Sequence, residues 1–228
     1  MRTLTTEELK LVQKAIALKE ITSAELLIEI YDHFVSHLER FTIEDFGVQL
    51  NALNEKWTYE YCKKLQEDLS KNINKSVRRT QWSLIKSYFS WPKMVFTLFL
   101  IGGITVLVNL LTSKIQLMIL LGLPIVYLGA FLFLILFRTH KKISLIKETF
   151  KGTDLKISSL FSNQFILFMS LPLHFFTFFL NVPRMFGIDK LIPEYLLNYL
   201  SITFCFVIYL HCVSTYEAWK IKSKTALI

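Results

Sequence analysis

Two apolar runs, Met94–Thr112 and Ile115–Phe137, are free of Asp, Glu, Lys and Arg and are separated only by Ser113 and Lys114. Each is close to the ~20 residues that a helix needs to cross a bilayer, and so short a connection makes them an antiparallel hairpin. Two further runs, Leu160–Leu180 and Tyr195–Tyr216, are equally free of charge. Pro172 interrupts the third, and the fourth is entered through Pro193, whose missing N–H does no harm in a first helical turn. A soluble core would distribute its apolar residues periodically. This chain, 53% hydrophobic with twenty Phe, gathers them into blocks. The expected fold class is all-α, a polytopic membrane protein with an N-terminal cytoplasmic three-helix head and four transmembrane helices (94–112, 115–137, 160–180, 195–216).

The cations give the orientation. Six Lys or Arg lie in Lys71–Lys93, six in Arg138–Lys156 and three in Lys220–Lys224, against Lys114, Arg184 and Lys190 on the other side. Fifteen against three is a positive-inside bias that alternates across four crossings, with both termini in the cytoplasm. Met1–Trp91 contains no apolar signal-peptide core, so the run from Met94 is expected to act as an uncleaved insertion signal. The expected domains are a helical head (1–75), a basic aromatic segment (76–93), the transmembrane domain (94–216) and a cytoplasmic tail (217–228).

Three start signals organise the head. Thr5 and Glu8 have capping-box spacing ahead of Leu9, Val12 and Ile16. Thr22 with Glu25 repeats the device and opens a helix to about Arg40, with Leu27, Ile30, Tyr31, Phe34 and Leu38 on one side. Thr42 with Asp45 predicts a longer helix carrying Phe46, Leu50, Leu53, Trp57, Tyr61, Leu65 and Leu69. Three amphipathic helices can bury one another's stripes as a small bundle.

From Lys71 to Lys93 there is no acid, and aromatic residues alternate with cations. Arg78, Arg79, Trp82, Lys86, Trp91 and Lys93 suit the headgroup layer, where rings sit at the interface and cations meet anionic lipid. Membrane adjacency explains the pattern without nucleic acid. The expected partners are therefore a bilayer with anionic headgroups and a protein at the head.

Candidate chemistry is sparse. Glu29, His33 and His37, one turn apart with Asp32 adjacent, have the spacing of metal ligands. They also lie where the polar side of an amphipathic helix falls, so no metal is assigned. Asn109, His174, Asn198 and Ser201 have compatible depths in the outer half of the bundle and form a candidate polar intramembrane cluster. His174 and His211 lie ~13 Å apart in depth at 1.5 Å per residue, too far to share a proton or a metal. Gly102, Gly103, Gly122 and Gly129 permit close helix packing and leave room for a homo-oligomer. Cys62, Cys205 and Cys212 form no CxxC pair and are expected as reduced thiols. No GxSxG, HExxH, GxxxxGK[ST] or GxGxxG motif occurs, so no catalytic residue and no cofactor is assigned.

The opening LTTEELKLVQKAIALKEITSAELLIEIYDHFVSHLE, with its Asp32-His33 pair, resembles the head of a group of multi-pass bacterial inner-membrane proteins. It is also similar to the HAAS-type helical domain that precedes membrane spans in bacterial signalling proteins. The resemblance covers roughly residues 4–93 and implies a bacterial inner-membrane location with a regulatory role. The expected function is a non-enzymatic regulatory or scaffolding membrane protein whose head binds a partner protein. The rival is a small transporter or transporter subunit using the outer-half polar residues.

Overall fold

The computed structural model describes residues 2–110, 113–176 and 194–225, without the side chains of 108, 113–124, 173, 175, 176, 194–198, 200, 201, 204, 224 and 225. The described residues are all-helical: α1 (Thr6–Ala17), α2 (Ala24–Leu38), α3 (Phe46–Lys56), α4 (Tyr59–Tyr88), α5 (Lys93–Leu110), α6 (Ser113–Thr149), α7 (Leu160–Phe176) and α8 (Glu194–Thr225). They divide into two compact units. One comprises residues 2–74 with Phe137–Asn163; the other comprises Lys75–Leu136 with residues 164–225.

In the first unit α1 begins at the expected capping box. Glu8 N donates to Thr5 Oγ1 and Thr5 N donates to the Glu8 carboxylate, at 3.3 and 2.8 Å. Arg2 grips the same carboxylate with two N–H groups (2.8 and 3.1 Å) and donates Nε–H to Phe41 O at 2.8 Å, tying this cap to the end of α2. Together these groups hold the Glu8 carboxyl below its ordinary value, with Arg2 the largest cause.

The second cap differs from expectation. Ser23, not Thr22, caps α2 by accepting from Leu26 N. The glutamate does not reach back to satisfy the cap's own backbone. Gln66 of α4 does that instead, its Oε1 accepting from both Thr22 N and Ser23 N at 3.0 and 3.1 Å. Glu25 is thereby left free for a distant partner.

The expected third helix is two. It stops at Trp57, whose backbone leaves the helical region (φ −100°, ψ 71°), and restarts when Tyr61 N donates to Thr58 Oγ1. A hydroxyl at this point offers the backbone a competing acceptor. The Trp57 ring turns inward, 6.4 Å from that of Phe34. Thr42 and Asp45 do bond each other, but Asp45 at the N-cap of α3 makes no side-chain cap bond.

The stretch 138–156, counted above only for its cations, is helical to Thr149, and Ile143, Ile146, Phe150 and Ile157 join Val12, Leu27, Ile30 and Phe34 in one core. The chain turns after Phe150 through Gly152 at φ 102°, a conformation that side-chain-bearing residues avoid.

The second unit packs α5 against α8. Buried Leu128, Phe131 and Ile135 of α6, Phe165 and Met169 of α7, and Cys212 and Trp219 of α8 form its interior. The tail expected after residue 216 continues α8 as far as Thr225, and the Trp219 ring meets Phe131 edge to face at 5.6 Å. Cys62, Cys205 and Cys212 are free thiols, all buried.

Helices occupy the described parts of all four apolar runs. Among the described residues no single helix is long and apolar enough to cross a membrane, whereas α4 and α5 pass that test as a pair bent by 79° at a short break. The run 115–137 includes side chains outside the described set, and residues 177–193 lie outside it altogether.

The Glu8 cap has a definite pH signature. A lowered carboxyl pKa contributes stability that is present above the ordinary value of 4.5 and is lost as pH falls through the lowered one. Protection of the α1 amides from hydrogen exchange is expected to hold at neutral pH and collapse in acid, with Arg2→Ala moving the collapse to higher pH. Thr5→Ala is expected to cost about 1 kcal/mol at neutral pH and less in acid, because the Thr5 hydroxyl also donates to the Glu8 carboxylate and helps lower its pKa. An unchanged pH profile in Arg2→Ala would contradict the assignment.

Candidate functional site

Glu25 builds the tightest polar site of the first unit. Its carboxylate is buried and accepts four hydrogen bonds: from Ser23 Oγ (2.9 Å), Ser159 Oγ (2.6 Å), Leu160 N (3.1 Å) and Phe161 N (3.0 Å). The last two belong to the first turn of α7, whose N–H groups have no carbonyl within the helix to donate to and where a negative charge also complements the helix dipole. Alongside it runs a parallel bridge, Ala24 N to Ser158 O and Ser158 N to Thr22 O, both at 2.9 Å. Ser159 completes the turn by accepting from Ser162 N, and Ser162 Oγ lies 2.6 Å from Thr139 Oγ1 of α6. The arrangement is a clasp. It fixes the first turn of α2 to the first turn of α7, 134 residues further along.

In the second unit, α4 turns one stripe inward. Val77, Gln81 and Tyr88 are buried, at the steps of four and seven that keep residues on a single helix face. Gln81 donates to Thr215 Oγ1 at 2.8 Å and to His211 Nδ1 at 3.1 Å. His211 donates its Nε2–H to Phe168 O at 2.8 Å, so its proton sits on Nε2 and its Nδ1 accepts. Thr215 Oγ1 donates in turn to His211 O at 2.7 Å. One amide thus joins α4, α7 and α8.

At the end of α4, Tyr88, Lys93 and Glu217 compensate one another. Lys93 Nζ stands 3.7 Å from the Glu217 carboxylate and 4.9 Å from the centre of the Tyr88 ring. Burial, and then the Glu217 carboxylate, push the Tyr88 phenol above its ordinary range. Thr97 Oγ1 donates to Tyr88 O at 2.6 Å and so pins the bend between α4 and α5.

The expected lipid-interface residues divide into two sets. Arg78 lies over the Phe168 ring at 5.7 Å and Lys93 meets Glu217, so both are engaged within the unit. Arg79, Trp82, Lys86 and Trp91 are exposed, with Lys86 Nζ 6.0 Å from the centre of the Trp82 ring.

The expected polar cluster is not brought together by any described bond. Asn109 is exposed and donates to Thr105 O of its own helix at 3.0 Å, and His174 is exposed. The side chains of Asn198 and Ser201 lie outside the described residues. In α2, His33 rests 5.4 Å from the Trp57 ring, while His37 Nε2 meets Gln49 Oε1 at 3.3 Å. No family model matches the chain, and no curated protein and no solved structure shows significant similarity to it.

Both polar sites can be broken by single substitutions. Glu25→Gln replaces an acceptor oxygen with a donor facing other donors. A cost on the order of 1–3 kcal/mol is expected, seen as faster hydrogen exchange at Leu160 and Phe161 than at α1. Gln81→Ala and His211→Ala should be coupled by about 0.5–2 kcal/mol in a double-mutant cycle of thermal unfolding in detergent. Additive losses would show that the amide and the imidazole do not act together.

Proposed function

We propose that the chain is a multi-pass integral membrane protein of regulatory or scaffolding type. Its helical head lies in the cytoplasm and binds a partner protein. One observation carries the membrane part: α5 beyond Lys93 and α6 from Ile125 to Phe137 hold large apolar side chains on their outside and no charged residue. Phe99, Leu110 and Phe133 are 78%, 77% and 71% exposed, and Val126, Leu136 and Phe137 accompany them. A monomer in water rarely exposes so many large apolar side chains with no charge among them, whereas hydrocarbon solvates them well. The cation count and the bacterial inner-membrane resemblance favour the same placement, with both ends of the chain on the cytoplasmic side.

The clasp supports the regulatory part. α7 begins inside the head, with its first two N–H groups held by Glu25, and continues as an apolar helix. A displacement of α7 therefore strains the start of α2, and a partner bound on the head biases α7 in return. Leu18, Ile43 and Val48 stay exposed on the head as apolar contacts for such a partner. The transporter alternative draws on Asn109 and His174, but the amide of Asn109 is spent on its own helix.

Photo-crosslinkers placed at Leu18, Ile43 and Val48 in intact cells test the partner. The expected result is one reproducible protein adduct at each position, with Ile43→Asp and Val48→Asp together removing the adduct at position 18 while the chain stays in the membrane fraction. Adducts to lipid or to this chain alone would contradict it.

A further inference from the structure

Building on the membrane placement above, we propose that the outward face of the second half of α4 binds the phosphate headgroups of an anionic lipid leaflet, laying that helix along the membrane surface. The inward stripe is Val77, Gln81 and Tyr88. Half a turn away, Lys75, Arg79, Trp82 and Lys86 follow one another at steps of four, three and four, and all four are exposed. This second stripe is cationic with an aromatic ring at its middle, and Lys86 rests against that ring.

Geometry selects the occupant. α5 leaves α4 at 79°, so a helix along the surface is followed by one nearly along the bilayer normal. Phe89 and Trp91, 54% and 81% exposed, stand at the corner, and Phe96 and Phe99 of α5 continue outward as exposed apolar residues. Along the chain the order is cations, aromatic corner, apolar helix. That is the order of headgroup, interface and hydrocarbon.

Charge points the same way. From Leu69 to Lys147 the sequence contains no Asp or Glu, so no neighbour along the chain competes for these cations. The two nearby cations with partners inside the unit, Arg78 and Lys93, lie off this stripe. A nucleic acid would match the charge but has no use for the apolar continuation, which an acyl chain covers.

The test uses the full chain purified in mild detergent, titrated with short-chain phosphatidylglycerol or phosphatidylcholine and read by native mass spectrometry. Phosphatidylglycerol is expected to bind more tightly, and its affinity to fall with added chloride. The triple variant Lys75→Gln, Arg79→Gln, Lys86→Gln should lose about a hundredfold, at roughly fivefold per cation. The variant Lys75→Arg, Lys86→Arg should keep the preference, which separates charge from misfolding. Equal affinity for the two lipids in the wild type, or an unchanged preference in the triple variant, would overturn the proposal. So would displacement of the lipid by inorganic phosphate at matched ionic strength, or tighter binding of a single-stranded oligonucleotide on the same residues. Flotation with pure phosphatidylcholine vesicles tests the membrane placement separately. A chain that floats without distinguishing the lipids refutes only the headgroup site, and one that never floats refutes the placement beneath it.

Discussion

A helix that carries Phe, Leu and Val on its outer side and no charge has no favourable place in water. Its own backbone bonds are satisfied internally, so the remaining question is what surrounds the side chains, and hydrocarbon is the solvent that costs them nothing. In α5 beyond Lys93, and in α6 from Ile125 to Phe137, the described side chains meet that condition. Their polar residues behave accordingly. Thr105 Oγ1 donates to Ile101 O, and the Asn109 amide donates to Thr105 O, so each returns its donor to the helix that carries it. The second unit concentrates its long-range polar contacts elsewhere, in the Gln81–His211–Thr215 set and around Tyr88, Lys93 and Glu217.

The first unit solves the opposite problem. A head of short helices has many free backbone groups and little apolar area, so its helix starts have to be tied down by side chains. Two carboxylates do most of this. Glu8 stays within its own helix start and takes Arg2 from outside. Glu25 accepts from the Ser23 hydroxyl at its own helix start and from the first N–H groups of α7, while Gln66 supplies the acceptor for the cap's backbone. The exchange ties the first turn of α7 to the head, which is the contact that the proposed regulatory coupling rests on.

Much of the helical plan was legible in the sequence because helix starts and apolar periodicity are local properties. The Thr5–Glu8 cap and the stripe Leu27, Ile30, Phe34, Leu38 are where their spacing puts them. Local rules could not say which of Thr22 and Ser23 caps α2, since that choice depends on Gln66, more than forty residues away. The break at Thr58 carried a signal, a hydroxyl residue inside an apolar repeat, that the continuing stripe outweighed. Ile143, Ile146 and Phe150 are spaced as a helical face, but Lys141, Lys142, Lys147 and Lys151 are interleaved with them, so the stretch reads equally well as a solvated cationic connection. Gln81 was the one uncharged polar residue on a stripe of Val77, Leu84 and Tyr88, which marks it as needing a buried partner. Its partners, His211 and Thr215, lie on another helix and could not be found by spacing.

The membrane placement is tested most directly by the sidedness of the two ends in living cells. Reporter fusions after residue 1 and after residue 228 should both be active only as cytoplasmic reporters, with the chain recovered in the membrane fraction after alkaline extraction. Ends on opposite faces, or a chain that alkaline extraction releases in soluble form, would contradict the account.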